Sequence, residues 1–412
     1  MKALVLTTSY PVAPGLVSGG FVRDLLEGLT ASGAEFEVVT PAIADATEAN
    51  AGHAAIRVHA ASYAGNAWRG GLAHRRGLPE TLAAEPWKWL LVPGLVRAME
   101  AVAARRIAHA RRRGRPFDLL WSHWLFPAGW LGAGLARAHH LPHLVTAHGG
   151  DVHRLERLAR VPGVSAALAR VWANATVCAP AEATALRVER VLSRRVLACP
   201  LPANLGAMTD APRGVRPRGE RGAPRLLYLG RFEPIKAPDR LLDACAQVPA
   251  GRLGAVKLAG AGSLERELRA RARGVDHPVT FVGVLEKDAK HAALIAADLM
   301  VLPSRRLRGG RGEGLPHAGM EALAAGTPVI APRGSALGDL VERTGAGMTF
   351  DGEGSEPECA ARLARLLEAL AASPRRITEL AARARMAGAA FAPRECVPRW
   401  SALLASAAGG GR

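Results

Sequence analysis

The sequence predicts an α/β protein of two Rossmann-like domains, each a parallel sheet with crossover helices, facing each other across an interdomain cleft. Three observations carry this reading. The chain has 412 residues, too many for one ordinary hydrophobic core and a natural length for two domains of about 200 residues each. Short β-branched or leucine-rich runs alternate with helix-like stretches through most of it, the pattern of parallel strands joined by helices. The alternation breaks once, at "TDAPRGVRPRGERGAPR" (209–225), which is rich in Pro, Gly and Arg, almost without apolar residues, and reads as a linker.

In chain order the strands of the first half are "ALVLT" (3–7), "FEVVT" (36–40), "DLLWSH" (118–123), "HLVTAH" (143–148), "ATVCA" (175–179) and "RVLACP" (195–200). Those of the second half are "RLLYLG" (225–230), "AVKLAG" (255–260), "VTFVG" (279–283), "DLMVLP" (298–303), "TPVIA" (327–331) and "GMTF" (347–350), again with helical segments between them. The last stretch, "ITELAARARMAGAAFAPRECVPRWSALLASAA", reads as two helices split near Pro393. An uncharged run at 119–136 is long enough to raise a membrane span, but His123, Pro127 and three glycines inside it favour strand, loop and helix. The opening "MKALVLTTSY" has a four-residue apolar run, too short for a signal-peptide core, and reads as the first strand.

Five cysteines lie far apart with no CxxC pair, which suggests neither a zinc site nor a disulfide framework and fits a reducing cytoplasm. The formal charge of +18 admits nucleic acid, an anionic membrane or acidic substrates as partners. Only six of the 54 basic residues are lysine, arginine is spread along the chain, and aromatics make up 5%, whereas a stacking nucleic-acid surface needs basic and aromatic residues together. Nucleic acid is therefore disfavoured. Solvated arginine-rich faces and a membrane surface stay open. The segment "EPWKWLLVPGLVRAMEAVAARRIAHARRR" (85–113) poses the same choice: an amphipathic element on an anionic membrane, or one packed on its own domain with a basic solvent face.

Ligands of such sheets bind beyond the carboxyl ends of the strands, so the residues there carry the argument. In "RGEGLPHAGMEALAAG" (311–326), Glu313 and Glu321 stand eight positions apart. On one helix that is about 12 Å of rise and roughly 80° of rotation. The pair of a retaining glycosidase, about 5 Å apart, is excluded. Pro316 suits a first helical turn, leaving Glu313 and Gly314 in the loop before it and Glu321 inside, with a helix start that favours phosphate. Carboxylates there could accept vicinal hydroxyls of a sugar and a ribose. The spacing equally admits a favourable acid near a helix start and a solvated helical residue.

In "LYLGRFEPIKAPD", Arg231 and Lys236 follow a strand and could clamp a diphosphate from two sides, or be two surface bases. "LAGAGSLERE" (258–267) has Glu265 where a dinucleotide loop would place its third glycine, so a tight strand-to-helix turn explains it. "SYPVAPGLVSGGF" places Gly19 and Gly20 at a helix start where backbone can approach a ligand. "WSHWLFPAG" puts His123 and Trp124 at one strand end, and "VTAHGGDV" puts His148 and Asp151 at another.

Together these segments resemble a known family. "EGLPHAGME" resembles the E-x7-E signature of retaining glycosyltransferases of the GT-B fold, family 4. "GRFEPIKAPD" resembles their donor-phosphate segment, and "HWLFPAG" and "TAHGGD" resemble motifs of bacterial cell-surface polysaccharide members. The likeness runs over essentially the whole chain in the expected order. It implies an N-terminal acceptor-binding domain (1–205), a linker (206–224), a C-terminal nucleotide-sugar domain (225–390) and a last helix (391–412) that crosses back, anchored by Trp400, Leu403 and Leu404.

It further implies that Arg231 and Lys236 hold the diphosphate, Glu313 the transferred sugar and Glu321 the ribose. Gly314, Leu315 and Pro316 would offer backbone contacts, Gly283, Val284 and Leu285 would meet the base, and Gly20 would sit beside the donor. Gly19, His123, Trp124 and Asp151 would lie on the acceptor side, with His148 orienting the sugar at the reaction centre. The implied reaction retains anomeric configuration and uses no metal or other cofactor. Its partners are a UDP- or GDP-linked sugar and a glycan or lipid-linked acceptor, in the cytoplasm or peripherally on the inner membrane face. The sequence departs from the family at Ala237, where glycine commonly follows the lysine, and at "LPANLG" (201–206). A non-catalytic partner or regulator of the same fold is the rival reading, followed by a nucleic-acid binder. A phosphorylase lacks its pyridoxal-phosphate lysine context here, and an epimerase its separate acid–base partners.

Overall fold

Strands that are buried on both faces and joined by helices must lie parallel, and the computed structural model of the chain contains two such sheets. It describes residues 1–12, 18–42, 53–64, 72, 77–203, 222–285, 287–307, 310 and 312–409. Chain contacts divide it into one unit of Met1–Pro202 completed by the stretch from Cys396, and a second of Ala203–Glu395. The expected linker lies outside the described residues except at 222–224. The return to the first unit falls at Cys396 and not at 391. Phe391 is buried, and its carbonyl accepts from the Ala203 amide at 2.8 Å, which keeps the turn Ala389–Phe391 with the second unit.

The first unit's sheet contains β1 (Lys2–Leu6), β2 (Glu35–Pro41), β3 (Ile56–Ala61), β4 (Leu119–His123), β5 (His143–Thr146), β6 (Ala175–Ala179) and β7 (Leu197–Ala198). Their order is β3-β2-β1-β4-β5-β6-β7, every pair parallel, with Val5 opposite Val38 on one side and Trp121 on the other. β3 is a strand that the sequence reading lacks. It lies at the sheet edge, where only Ile56, Val58 and Ala61 are buried, and Arg57 and His59 interrupt its apolar run. The helix Val92–Arg112 covers this sheet through Leu95, Met99, Ala103, Ile107 and Ala110, an i, i+4 stripe closed by one i+3 step. On the run 119–136, strand β4 is followed by the helix Trp130–His139. Among the described residues no helix is long and apolar enough to cross a membrane.

The second unit's sheet contains β8 (Leu226–Leu229), β9 (Val256–Ala259), β10 (Val279–Phe281), β11 (Leu299–Val301), β12 (Val329–Pro332) and β13 (Gly347–Phe350). Their order is β10-β9-β8-β11-β12-β13, again all parallel. Its core joins Tyr228, Leu258, Val301 and Ile330 to the helix Glu356–Ala371, whose start carries a capping box between Ser355 and Glu358. The strand order reverses direction between β1 and β4 in one unit and between β8 and β11 in the other, and loops that leave such a point diverge and open a crevice. The last helix, Pro393–Gly409, belongs to the first unit from Cys396 on, with Trp400 and Leu404 fully buried. The Trp400 indole lies 5.3 Å from that of Trp121, tilted by 31°, and donates to the Pro200 carbonyl at 2.8 Å.

Candidate functional site

In the second unit the switch point gathers residues from three loops. Beyond β8 the chain runs against the loop beyond β9 so closely that a Cβ on Gly260 would lie 1.9 Å from the Gly230 carbonyl oxygen, and one on Gly262 2.5 Å from that of Phe232. The glycines of "LAGAG" therefore serve backbone packing, and Glu233 fastens the same contact by accepting from the Ser263 amide at 3.2 Å and its hydroxyl at 2.8 Å. A short turn, Pro234–Lys236, then delivers Lys236, whose ammonium pairs with the Glu313 carboxylate. Ala237 follows at φ 52° and ψ 46°, a left-handed conformation that explains why glycine suits this position.

Glu313 also accepts the Ser304 hydroxyl at 2.7 Å, and Ser304 leaves the end of β11. Buried Arg240 holds that loop: it donates to the Pro303 carbonyl at 3.2 Å and that of Ser304 at 3.4 Å, and pairs with Glu356 at 2.9 and 3.0 Å. Arg305 adds an ion pair with Asp239 at 2.5 Å. Glu313 and Gly314 lie in the loop, and Pro316 caps the helix His317–Ala324, whose first amides receive no side-chain cap. Leu315 and Gly314 are half-buried in the approach to it.

Glu321 lies inside that helix and is 2% exposed, which excludes the solvated helical residue that its spacing admits. It pairs with Lys290 and lies 3.4 Å from the His317 imidazole. Lys290 stands on the helix Lys287–Ala296, just beyond the exposed Gly283 and Val284 and the half-buried Leu285, so the expected base segment leads directly to Glu321's partner. Arg231 is half-buried next to β8, and its carbonyl accepts the Tyr228 hydroxyl at 2.8 Å.

In the first unit the carboxyl ends of β4 and β5 bring two histidines together. His123 Nδ1 and His148 Nε2 are 3.0 Å apart, with rings stacked at 5.2 Å. Trp124 and Phe21 complete the cluster, 4.7 and 5.1 Å from the His148 ring. Burial pushes the His148 imidazole down to about 3, and burial with the His148 neighbour holds His123 well below its usual range, so both rings are neutral at pH 7. Asp151 faces inward. Its carboxylate accepts from the amides of Leu125 (2.7 Å), His148 (3.0 Å) and Val152 (3.1 Å), which fixes the two loops to each other. Burial raises its pKa while these backbone bonds oppose the rise. Gly19, at φ 79°, is pressed against the Ser9 carbonyl, where a Cβ would come within 2.0 Å, and Gly20 opens the helix Gly20–Thr30 with free space in front of it.

Ser304, Arg240, Lys290 and Phe21 are absent from the sequence reading. Ser304 carried one signal, its place just past a strand. The others depend on pairings across 25 residues or more. Among the described residues no group of three or more His, Cys, Asp or Glu could hold a metal ion.

Residues 223–369 match the family model described as glycosyl transferases group 1. Over 200 residues the chain is 34% identical to D-inositol 3-phosphate glycosyltransferase 1 of Catenulispora acidiphila, covering 45% of each protein. It is 30% identical over 158 residues to the GDP-mannose-dependent alpha-(1-6)-phosphatidylinositol dimannoside mannosyltransferase of Mycobacterium tuberculosis, covering 37% of this chain and 39% of that one. The chain thus matches less than half the length of these curated relatives. Among solved structures, sucrose-phosphate synthase from Thermosynechococcus elongatus aligns over 98% of both chains with a TM-score of 0.68 at 22% identity. HepE of Anabaena, in complex with UDP, aligns over 98% of this chain and 100% of its own with a TM-score of 0.67 at 17% identity. These likenesses are of fold. The class they define is the GT-B fold, two α/β units with parallel sheets. Within the chain, it is residues 223–369 that are similar to the group 1 glycosyl transferases.

Proposed function

We propose that the protein transfers a sugar from a UDP- or GDP-linked donor to a glycan or lipid-linked acceptor in bacterial surface polysaccharide or glycolipid synthesis, with retention and without a metal. The observation that carries this is the convergence of Lys236, Glu313 and Ser304 at the β8/β11 switch point, inside the matched segment. A relative named as GDP-mannose-dependent and a neighbour solved with UDP support a nucleotide donor.

The donor's diphosphate lies at the open start of the helix His317–Ala324, where helix amides favour an anion. Lys236 and Arg231 supply the cations. As Lys236 turns to phosphate, Glu313 is left to accept hydroxyls of the sugar, held in place by Ser304. Glu321, paired with Lys290, accepts the ribose hydroxyls. The bond from the anomeric carbon to the phosphate oxygen breaks while an acceptor oxygen bonds to that carbon from the same face. The acceptor's proton passes to the departing phosphate. The main demand on the protein is stabilisation of that leaving diphosphate by fixed charges and dipoles. The neutral pair His123 and His148 serves as hydrogen-bonding groups that orient the sugar, not as a proton store.

A thermal-shift panel of UDP, GDP and ADP with and without EDTA tests the reading. One diphosphate should raise the melting temperature whether or not the chelator is present, and Lys236→Ala should remove that shift. No shift with any of the three would sink the donor site and favour a non-catalytic relative of the fold.

A further inference from the structure

We infer that Lys290 is a positioning residue of the donor site: it holds the Glu321 carboxylate by one oxygen and keeps the other open to the hydroxyl pair of a ribose. The inference rests on the donor reading above and adds a specificity to it, for ribonucleoside diphosphates over their 2′-deoxy counterparts. It starts from an asymmetry around one buried group. The Lys290 ammonium pairs with Oε1 of Glu321, and the His317 imidazole Nε2 lies 3.4 Å from the same Oε1. Among the described residues no donor meets Oε2. The two groups on Oε1 come from different elements. His317 stands one turn before Glu321 on its own helix, and Lys290 reaches over from the helix Lys287–Ala296. The carboxylate is thus fixed from two directions at one oxygen. A buried carboxylate oxygen without a partner is costly, and its two lone pairs suit two neighbouring hydroxyl donors. A ribose carries such a pair on adjacent carbons, and a 2′-deoxyribose does not.

The kind of cation supports this. Only six of the 54 basic residues are lysine, yet a lysine and not an arginine meets Glu321. A guanidinium is a planar fork that takes both oxygens of a carboxylate at once. Arg187 does so with Glu156 at 2.6 and 2.8 Å, and Arg240 with Glu356 at 2.9 and 3.0 Å. An ammonium is a point charge on a flexible stem and stays on one oxygen. At Glu321 a fork would occupy Oε2 as well and close it to the sugar.

Isothermal titration of the full chain with UDP, GDP and the 2′-deoxy form of each tests the inference. The parent should bind one ribonucleotide about 10- to 100-fold more tightly than its 2′-deoxy form, the loss expected of one hydrogen bond to a carboxylate. Lys290→Arg should weaken the ribonucleotide to the affinity of the 2′-deoxy form, bringing the ratio to about one, because the fork shuts Oε2. Lys290→Met, of similar reach without the charge, releases Oε1 and should lower the ratio as well. Circular dichroism and an unchanged affinity for the 2′-deoxy form show that the variants are folded. A lysine with a merely structural role would alter stability and leave the ratio alone. A ratio in both variants equal to the parent's therefore overturns the inference, as does a parent ratio of about one. Failure of the parent to bind either ribonucleotide overturns the donor reading and this inference with it, whereas binding with an unmoved ratio overturns the inference alone.

Discussion

Glu313 sits between an ammonium and a hydroxyl, and both partners hold its charge in place. Replacing it with glutamine keeps the shape, so Glu313→Gln should fold normally yet lose roughly 10²- to 10³-fold in transfer rate. Circular dichroism and initial rates check the two halves of that statement; an unfolded variant would make Glu313 a structural residue. Ala237 offers a test of the opposite kind. Its left-handed backbone costs an L-residue about 1–2 kcal/mol, so Ala237→Gly should raise stability by up to about 1 kcal/mol after the greater entropy of an unfolded glycine is counted. Urea unfolding measures this, and a loss of stability would refute the strain. At this scale the sequence was informative about place, with His148 just past β5, Lys236 in the turn that follows β8 and Glu313 ahead of the helix His317–Ala324. It was silent on partners, because nothing in a string announces that residue 290 will meet residue 321.

The loop that leaves β11 is held by an arginine on the next layer, and its geometry is therefore a property of two elements and not of the loop itself. Arg240→Met should fill the same space but leave the Pro303 carbonyl without its donor, at a cost of about 1–3 kcal/mol. The same change should lower turnover by loosening Ser304, and chemical denaturation beside donor-dependent rates separates the two effects. Unaltered stability and rate would show that the loop holds itself. Strands were legible in the string where both faces are buried, since β1 from Ala3 onward and β11 read as continuous apolar runs. β3 escaped because an edge strand needs only alternate burial and can carry Arg57 and His59 in its middle. Gly260 and Gly262 were legible as a tight turn, while what they press against, the loop after β8, required the fold.

Across the molecule, buried imidazoles tie folding to pH. Burial holds His143 at about 3 and His123 well below its usual range, whereas both would take up protons below about 6.5 in the unfolded chain. Through that window the unfolded state binds more protons. Stability should therefore fall as the pH drops below 6.5, by up to about 1.4 kcal/mol per pH unit for each ring. Denaturation midpoints at a pH of about 7.5 and of about 5 give the slope, and equal midpoints would mean these rings are charged in the fold. Two parallel α/β sheets were within reach of the string because strand–helix alternation announces them, whereas the order of the strands within each sheet required the fold.

The return of the last helix to the first unit carries a further meaning. The ribosome makes Trp121 and the Pro200 carbonyl early, but the Trp400 indole that covers both comes only after all 193 residues of Ala203–Glu395 have been synthesised. At about 5–20 residues per second, that is an interval of roughly 10–40 seconds in which the nascent first unit stands with its aromatic centre uncapped. The half of the chain that begins folding first is the half that finishes last.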